Sequence, residues 1–321
     1  MPKELTHWLI AQESLLALPP NSPVKLILAE YYNLFFAAAV LPDTPYYCVG
    51  KKCIQVKHAV DYFHAAHQTN SFAPLTRVLE TKPHLSFEAE LSFTAGIISH
   101  IIADSVFHPF VSSLSGPESG QASRKNTARH RRLETEIDLL FMRKSILIGG
   151  NMLLRTYVDN LEVHIDDLAV VLAVFFDSDN RLPPKIMKKS LRDHCLIQSL
   201  FYKKWPTIPL RILNMIKQDC TNHLLALSYR DTEKLPPLLN DQPIKYKHPW
   251  TGHVLSTTME HLKEEAVEKI SPYLSMLQTV TNRLELKNTL KKLNGPSLIT
   301  GLFGPENSAC PNAKRPDDTA K

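Results

Sequence analysis

The sequence predicts an all-α protein, a multi-helix bundle, and two observations carry that prediction. Glycine is scarce, at 10 of 321 residues, and long stretches of Leu, Ala, Glu and Lys favour helices over a turn-rich sheet protein. Hydrophobic residues make up 44% and charged residues 21%, a globular balance in a chain long enough to bury a real core.

Read in order, Thr6 to Ala17 is a first helix, with Thr6 as N-cap and Pro19-Pro20 as its stop. Val24 to Ala39 is apolar on several sides and predicts a buried second helix. Pro42 and Pro45 flank Asp43 and make Leu41–Pro45 a loop. Val56 to Gln68 is a short amphipathic helix carrying Asp61, His64 and His67. Phe87 to Phe107 is a strong helix that Pro109 ends near His108. A polar connection from Ser112 to Ala128 leads into a helix from about Arg129 to Met142.

Further helices are expected over Asn151–Phe176, Lys188–Lys204 and Ile208–Tyr229. A long one runs from about Val254 to Lys292, bent at Pro272, after a loop from Pro236 to Pro249. The domain reading is a metal-binding helical core over 1–145, helices over 146–293 that pack on it, and a Gly- and Pro-rich flexible tail over 294–321.

Histidine distribution is the most informative feature of the composition. Eight of the 14 histidines (His7, His58, His64, His67, His84, His100, His108, His130) fall in the first 130 residues, and histidine is the commonest metal ligand. The net charge of +5 suits anionic substrates or membrane surfaces. No Lys/Arg stripe with interleaved aromatics supports nucleic-acid binding.

The five cysteines form no disulfide framework, which points to a reducing compartment. Cys48 and Cys53 as half of a zinc site lack a second pair at finger-like spacing. With no signal-peptide pattern over Met1–Pro20 and no apolar run long enough to span a bilayer, the expectation is a cytoplasmic protein. The sequence carries no signal of oligomeric state.

The central motif is His100-Ile-Ile-Ala-Asp104-Ser-Val-Phe-His108. Four-residue steps return to the same helix face, so an imidazole and a carboxylate share one stripe, with His108 a turn further on. The surrounding Leu91, Phe93, Ile97, Ile98, Ile101 and Ile102 make the helix apolar nearly all round. A buried carboxylate there must be ligated or paired. Two readings remain for this segment alone: a divalent-metal half-site, or a core His–Asp hydrogen bond. His130-Arg-Arg-Leu-Glu134 repeats the spacing, with Asp138 one turn beyond; alone it reads as solvated charge, and beside the first helix it supplies partners for His108.

Together, the segment Thr94 to Phe110 and the segment His130 to Asp138 resemble the core of the zinc-dependent phospholipase C family. The opening Met1-Pro2-Lys3-Glu4-Leu5-Thr6-His7, the Leu41-Pro42-Asp43 loop and His64 before Phe72 resemble it too. The resemblance covers roughly residues 1 to 145 and implies a helical bundle holding two or three zinc ions in one cleft. It implies Asp43, His64, His100 and Asp104 around one ion, Asp104 bridging to a second held by His7, and His108, His130 and Glu134 around a third.

Secreted members of the family use a free α-amino group beside the first histidine; here removal of Met1 would expose the amine of Pro2. His64 and His67 both fit the ligand position by sequence, and the spacing to Phe72 favours His64. His58, His84 and the six later histidines read as surface residues.

The activity implied is phosphodiester hydrolysis, with phospholipid cleaved to diacylglycerol and a phosphorylated head group. Asp43 would orient water or take its proton, and Asp104 would link the two ions. The competing expectations are a nuclease or phosphatase using the same zinc cluster, and a non-catalytic protein that keeps the metal for structure. Contact with a membrane would run through the amphipathic first helix or the long C-terminal one.

Overall fold

The computed structural model describes residues 3–64, 70–116, 123–144, 153–177, 182–216, 221–229 and 242–304. Among these residues there are fourteen α-helices and one small two-stranded sheet, an all-α fold. In chain order the helices begin with α1 (Glu4–Ala17), α2 (Pro23–Glu30), α3 (Tyr32–Ala38), α4 (Ile54–Phe63) and α5 (Ala73–Glu80). There follow α6 (Phe87–Ser115), α7 (Ser123–Lys144), α8 (Leu154–Asp159), α9 (Ile165–Phe176), α10 (Pro184–Phe201), α11 (Thr207–Ile216) and α12 (Asn222–Leu225). The hairpin β1 (Ile244–Lys247) and β2 (Val254–Thr257) precedes α13 (Met259–Leu277) and α14 (Arg283–Lys291).

Helix α6 is the axis of the fold, packed by α1, α3, α7 and α13. Ser86 caps it by accepting from the Ala89 N–H, and nearly every residue from Ala89 to Val111 is buried. Its length and apolar content would suffice to cross a bilayer, but 83% of its apolar window is buried within the protein. Such a helix must present its few polar groups to one another, and it does so at His100, Asp104 and His108. Helix α3 reaches α6 closely because Gly96 has no side chain: a Cβ there would lie 2.5 Å from the Phe35 carbonyl oxygen.

Pro109 does not end this helix, which runs on to Ser115 and stops at Gly116 in the left-handed region. Proline denies the Ser105 carbonyl its helical partner. Gly301 approaches that carbonyl so closely that a Cβ would lie 2.4 Å from its oxygen. The break is tolerated because another segment packs over it.

Several other expectations change. The loop around Asp43 is a 3-10 helix over Leu41–Tyr47. The expected second helix divides at Tyr31 into α2 and α3, and the helix expected over 151–176 divides into α8 and α9. The stretch expected to be a loop ends in β1, and the start of the expected long C-terminal helix is β2, paired antiparallel with it. α13 runs through Pro272 and ends before Asn282, whose side chain caps α14. The inward faces of α1 and α13 are core: Leu5, Trp8, Ile10, Ile270 and Leu274 are buried.

Three further differences bear on the site. Residues 295–300 do not form a tail: Ser297, Leu298 and Thr300 are buried, and the Ser71 N–H donates to the Gly295 carbonyl at 3.5 Å. Cys48 and Cys53 form a disulfide, so neither is a free thiol and one ground for expecting a reducing compartment is removed. His194 and His248, read as surface residues, are buried. His67 and residues 305–321 lie outside the described residues.

Candidate metal centre

Every histidine expected at the site is aimed by a carbonyl or hydroxyl on its outer nitrogen, or by ring stacking. His100 Nδ1 lies 2.9 Å from the Ala39 carbonyl, brought there by the close α3–α6 contact. His64, at the C-terminal end of α4, has Nδ1 3.0 Å from the Val60 carbonyl of its own last turn. His108 Nδ1 lies 2.5 Å from the Leu298 carbonyl, and His130 Nδ1 lies 3.3 Å from Ser115 Oγ. His7 stacks on His100 with ring centroids 4.2 Å apart. A nitrogen facing a carbonyl must carry a proton, so in a neutral ring the other nitrogen presents a lone pair. In His64, His100 and His108 that lone pair is on Nε2.

Those nitrogens converge on carboxylates in two groups. In the first, Asp104 Oδ2 is 3.2 Å from His100 Nε2 and 3.7 Å from His64 Nε2, and Asp104 Oδ1 is 3.3 Å from His7 Nε2. Asp43 Oδ1 is 3.4 Å from His64 Nε2 and 3.8 Å from His100 Nε2. In the second, His130 Nε2 is 2.8 Å from Glu134 Oε1, with the His108 ring 5.8 Å from the His130 ring. Within Asp43, His64, His100 and Asp104, and again within His108, His130 and Glu134, one ligand atom per residue lies within 4.8 Å of the others.

A core His–Asp hydrogen bond does not account for the first group. Lone pairs on imidazole and carboxylate repel unless a positive charge lies between them. Here three rings face two carboxylates. Among the described residues, His7 Nε2, Asp43 Oδ1, His64 Nε2, His100 Nε2 and both Asp104 oxygens are buried without a hydrogen-bond partner, a costly arrangement unless a cation satisfies them together. Nitrogen and oxygen donors in this number suit zinc.

The groups also act on one another through their charges. Burial pushes the Asp104 carboxyl up, but its interactions with the neighbouring rings, His100 foremost, outweigh it and hold Asp104 well below the usual range. Burial lowers His100, but Asp104 and Asp43 outweigh it and raise the ring. Burial and His100 lower His7, and burial takes His108 well below its usual value. For Glu134, burial is overcome by surrounding positive charge, His130 included, and the carboxyl falls to about 2.

One carboxylate sets the start of α1. Lys3, its cap residue, offers no side-chain acceptor. Asp138 of α7 serves instead, accepting from the Leu5 N–H at 3.1 Å, the Thr6 N–H at 2.9 Å and the Thr6 hydroxyl at 2.6 Å. A carboxylate there satisfies orphan N–H groups and the helix dipole, and it fixes the turn that carries His7. Burial and neighbouring Glu4 push Asp138 up to about 6. Glu4 accepts from Tyr47 at 2.6 Å, Tyr229 at 3.0 Å and His194 at 3.1 Å, tying α1 to the 3-10 helix that holds Asp43. Glu4, His194 and Tyr229 carried no spacing signal, since their partners lie far away in sequence.

The structure thus brings Asp43, His64, His100, Asp104 and His7 together in one group and His108, His130 and Glu134 in another. Residues 6–175, more than half of the chain, match the family described as zinc dependent phospholipase C. All eight residues fall in that span. No curated protein and no solved structure matches the chain.

Proposed function

Because the chain belongs to the zinc-dependent phospholipase C family, we propose that it cleaves phospholipid to diacylglycerol and a phosphorylated head group. The observation that carries the proposal is the convergence of unpartnered nitrogens and carboxylate oxygens at the first cluster. His7, Asp43, His64, His100 and Asp104 would hold zinc there, and His108, His130 and Glu134 would hold it at the second cluster. Zinc bound to such donors supplies charge stabilisation for a phosphodiester transition state and lowers the pKa of water toward neutrality.

The chain's own residues divide the remaining work. Asp43, with its side chain 13% exposed against 0% for Asp104, is the carboxylate that meets solvent and substrate, and it orients the attacking water and takes its proton. Asp104 stays ionised and fixes His7, His64 and His100 around itself. Water adds to phosphorus, the bond from phosphorus to the glycerol oxygen breaks, and that oxygen leaves with the proton that Asp43 took from the water. Burial of both clusters supports a second reading, zinc held only for structure.

The test is hydrolysis of monomeric short-chain phosphatidylcholine by zinc-loaded protein, with both products identified by mass spectrometry. Activity should vanish with a chelator and return with zinc, and Asp43→Asn should lose about a hundredfold while retaining some or all of its zinc. Zinc-loaded protein that cleaves neither phosphatidylcholine, phosphatidylethanolamine nor phosphatidylserine, nor single-stranded DNA, leaves the structural reading.

A further inference from the structure

Two neighbouring ligands of the first cluster are seated unequally. His64 follows α4, a helix of ten residues in which Val56, Val60 and Phe63 are buried while Ile54, Gln55, Lys57, His58 and Asp61 are exposed. Most of α1 and α6, which carry the other imidazoles, is buried. Asp43 is firmly held too. Its 3-10 helix buries Leu41, Pro42, Thr44 and Pro45 and is pinned to α10 at Thr44. The Thr44 carbonyl accepts from the Ser190 hydroxyl at 2.9 Å, and Thr44 Oγ1 lies 3.0 Å from His194 Nδ1.

The Cys48–Cys53 disulfide joins these two elements. Cys48 ends the 3-10 helix and Cys53 caps the start of α4, so one covalent bond hangs the loosely seated helix on the pinned one. At the far ends lie the ligands, with Asp43 Oδ1 3.4 Å from His64 Nε2. α10 grips the bridged loop as well: the Val49 N–H donates to the Asp193 carboxylate at 2.8 Å, and the Lys189 ammonium donates to the Val49 carbonyl at 2.8 Å. Both bonds hold the loop one residue from Cys48, and the sulfur bridge carries that hold across to Cys53. A bridge between residues five apart constrains the unfolded chain less than a long loop does, so its effect is felt where it stands. Cys195 of α10 takes no part. It is buried, and burial pushes its thiol up to about 12, which leaves it protonated and inert toward exchange.

We propose that Cys48 and Cys53 are the positioning pair for His64, and that reduction of their bond by a dithiol weakens zinc binding at the first cluster and spares the second. The proposal rests on the zinc reading of the first cluster given above. In the reduction a thiolate of the dithiol attacks one sulfur, the Cys48–Cys53 bond breaks, and the released cysteine takes a proton. The second thiol of the dithiol displaces the other cysteine, so two electrons pass to the pair and the dithiol leaves as a disulfide. Both cysteines are buried, yet Val49, Gly50 and Lys51 between them are exposed. Opening of that short loop alone uncovers the bond.

The experiment measures zinc affinity in the full-length chain by competition with a chelating dye. Two backgrounds separate the clusters: Glu134→Ala, which keeps the first, and His100→Ala, which keeps the second. In each, the parent is compared with Cys48→Ala and Cys53→Ala combined, which has neither the bridge nor its thiols, and with Cys195→Ser as a control. Peptide mass spectrometry reads the bridge before and after treatment of wild type with dithiothreitol, which gel filtration removes before zinc is supplied. Loss of the bridge should weaken zinc about 10–100-fold in the Glu134→Ala background and leave it unchanged in the His100→Ala background, with Cys195→Ser matching its parent in both. Hydrolysis by wild type should fall on reduction and return when the bond is re-formed.

Equal zinc affinity with and without the bridge in the Glu134→Ala background overturns the inference and spares the zinc reading. Equal losses in the two backgrounds also overturn it, since the bond would then support the whole fold. An intact bridge with no zinc bound at the first cluster defeats the zinc reading itself, and the inference with it.

Discussion

The two candidate zinc clusters are built from different amounts of the fold. The first gathers His7 from α1, Asp43 from a 3-10 helix, His64 from the end of α4, and His100 and Asp104 from α6. No two of those elements outside α6 are joined by local spacing, so this cluster exists only when the N-terminal half has packed. The second needs one pair of neighbouring helices, α6 for His108 and α7 for His130 and Glu134. Among the described residues, a remote segment also reaches it: the Leu298 carbonyl, 190 residues from His108. The first is a product of the core and the second a local site held shut from outside.

The sharpest way to break this contrast is metal content by elemental mass spectrometry. His100→Ala should strip the first cluster and leave the second, Glu134→Ala should do the opposite, and His100→Ala should lower hydrolysis by about 10²–10³. One variant emptying both would mean the clusters form a single unit.

A smaller effect isolates the clamp. A chain ending after Leu293 should bind zinc at the second cluster about 10–100-fold more weakly and keep the first, by competition with a chelating dye. A chain ending after Gly304 should match wild type. If the shorter chain loses both clusters equally, the segment supports the core rather than the site.

The smallest effect concerns the first cluster's dependence on α1. Asp138→Ala removes the acceptor for two backbone N–H groups and should cost about 1–3 kcal/mol, measured by urea unfolding of the zinc-loaded protein. Zinc at the second cluster should be unaffected. A stability unchanged by the substitution would show that α1 needs no support from α7.

What the sequence revealed divides along the same line. His100, Asp104, His108, His130 and Glu134 were legible because a four-residue step on a helix is a statement about geometry. Asp43, His64 and His7 had no such signal and came only from resemblance. The partners of the imidazoles were invisible in advance, because Ala39, Val60 and Leu298 contribute carbonyls that any residue type could offer.

Errors in the fold have physical causes too. Pro109 reads as a stop, yet the freed Ser105 carbonyl lies against Gly301, a contact that no local pattern encodes. Residues 295–300 have the composition of a tail but sit in a close approach that glycine permits. Glu4 and His194 find each other across 190 positions, too far for any spacing rule.

The strap that ends at Gly301 also sets an order of assembly. Chains emerge from the ribosome N-terminus first, so His108, His130 and Glu134 all leave the ribosome before residue 298 has been made. The second cluster is therefore first offered to zinc with the His108 ring free to turn. When residues 295–300 arrive, the Leu298 carbonyl fixes that ring and Gly301 seats against α6. Zinc taken up early would become harder to release once synthesis has passed this point. Its later escape would be timed by the opening of a few residues of backbone rather than by the strength of its own bonds.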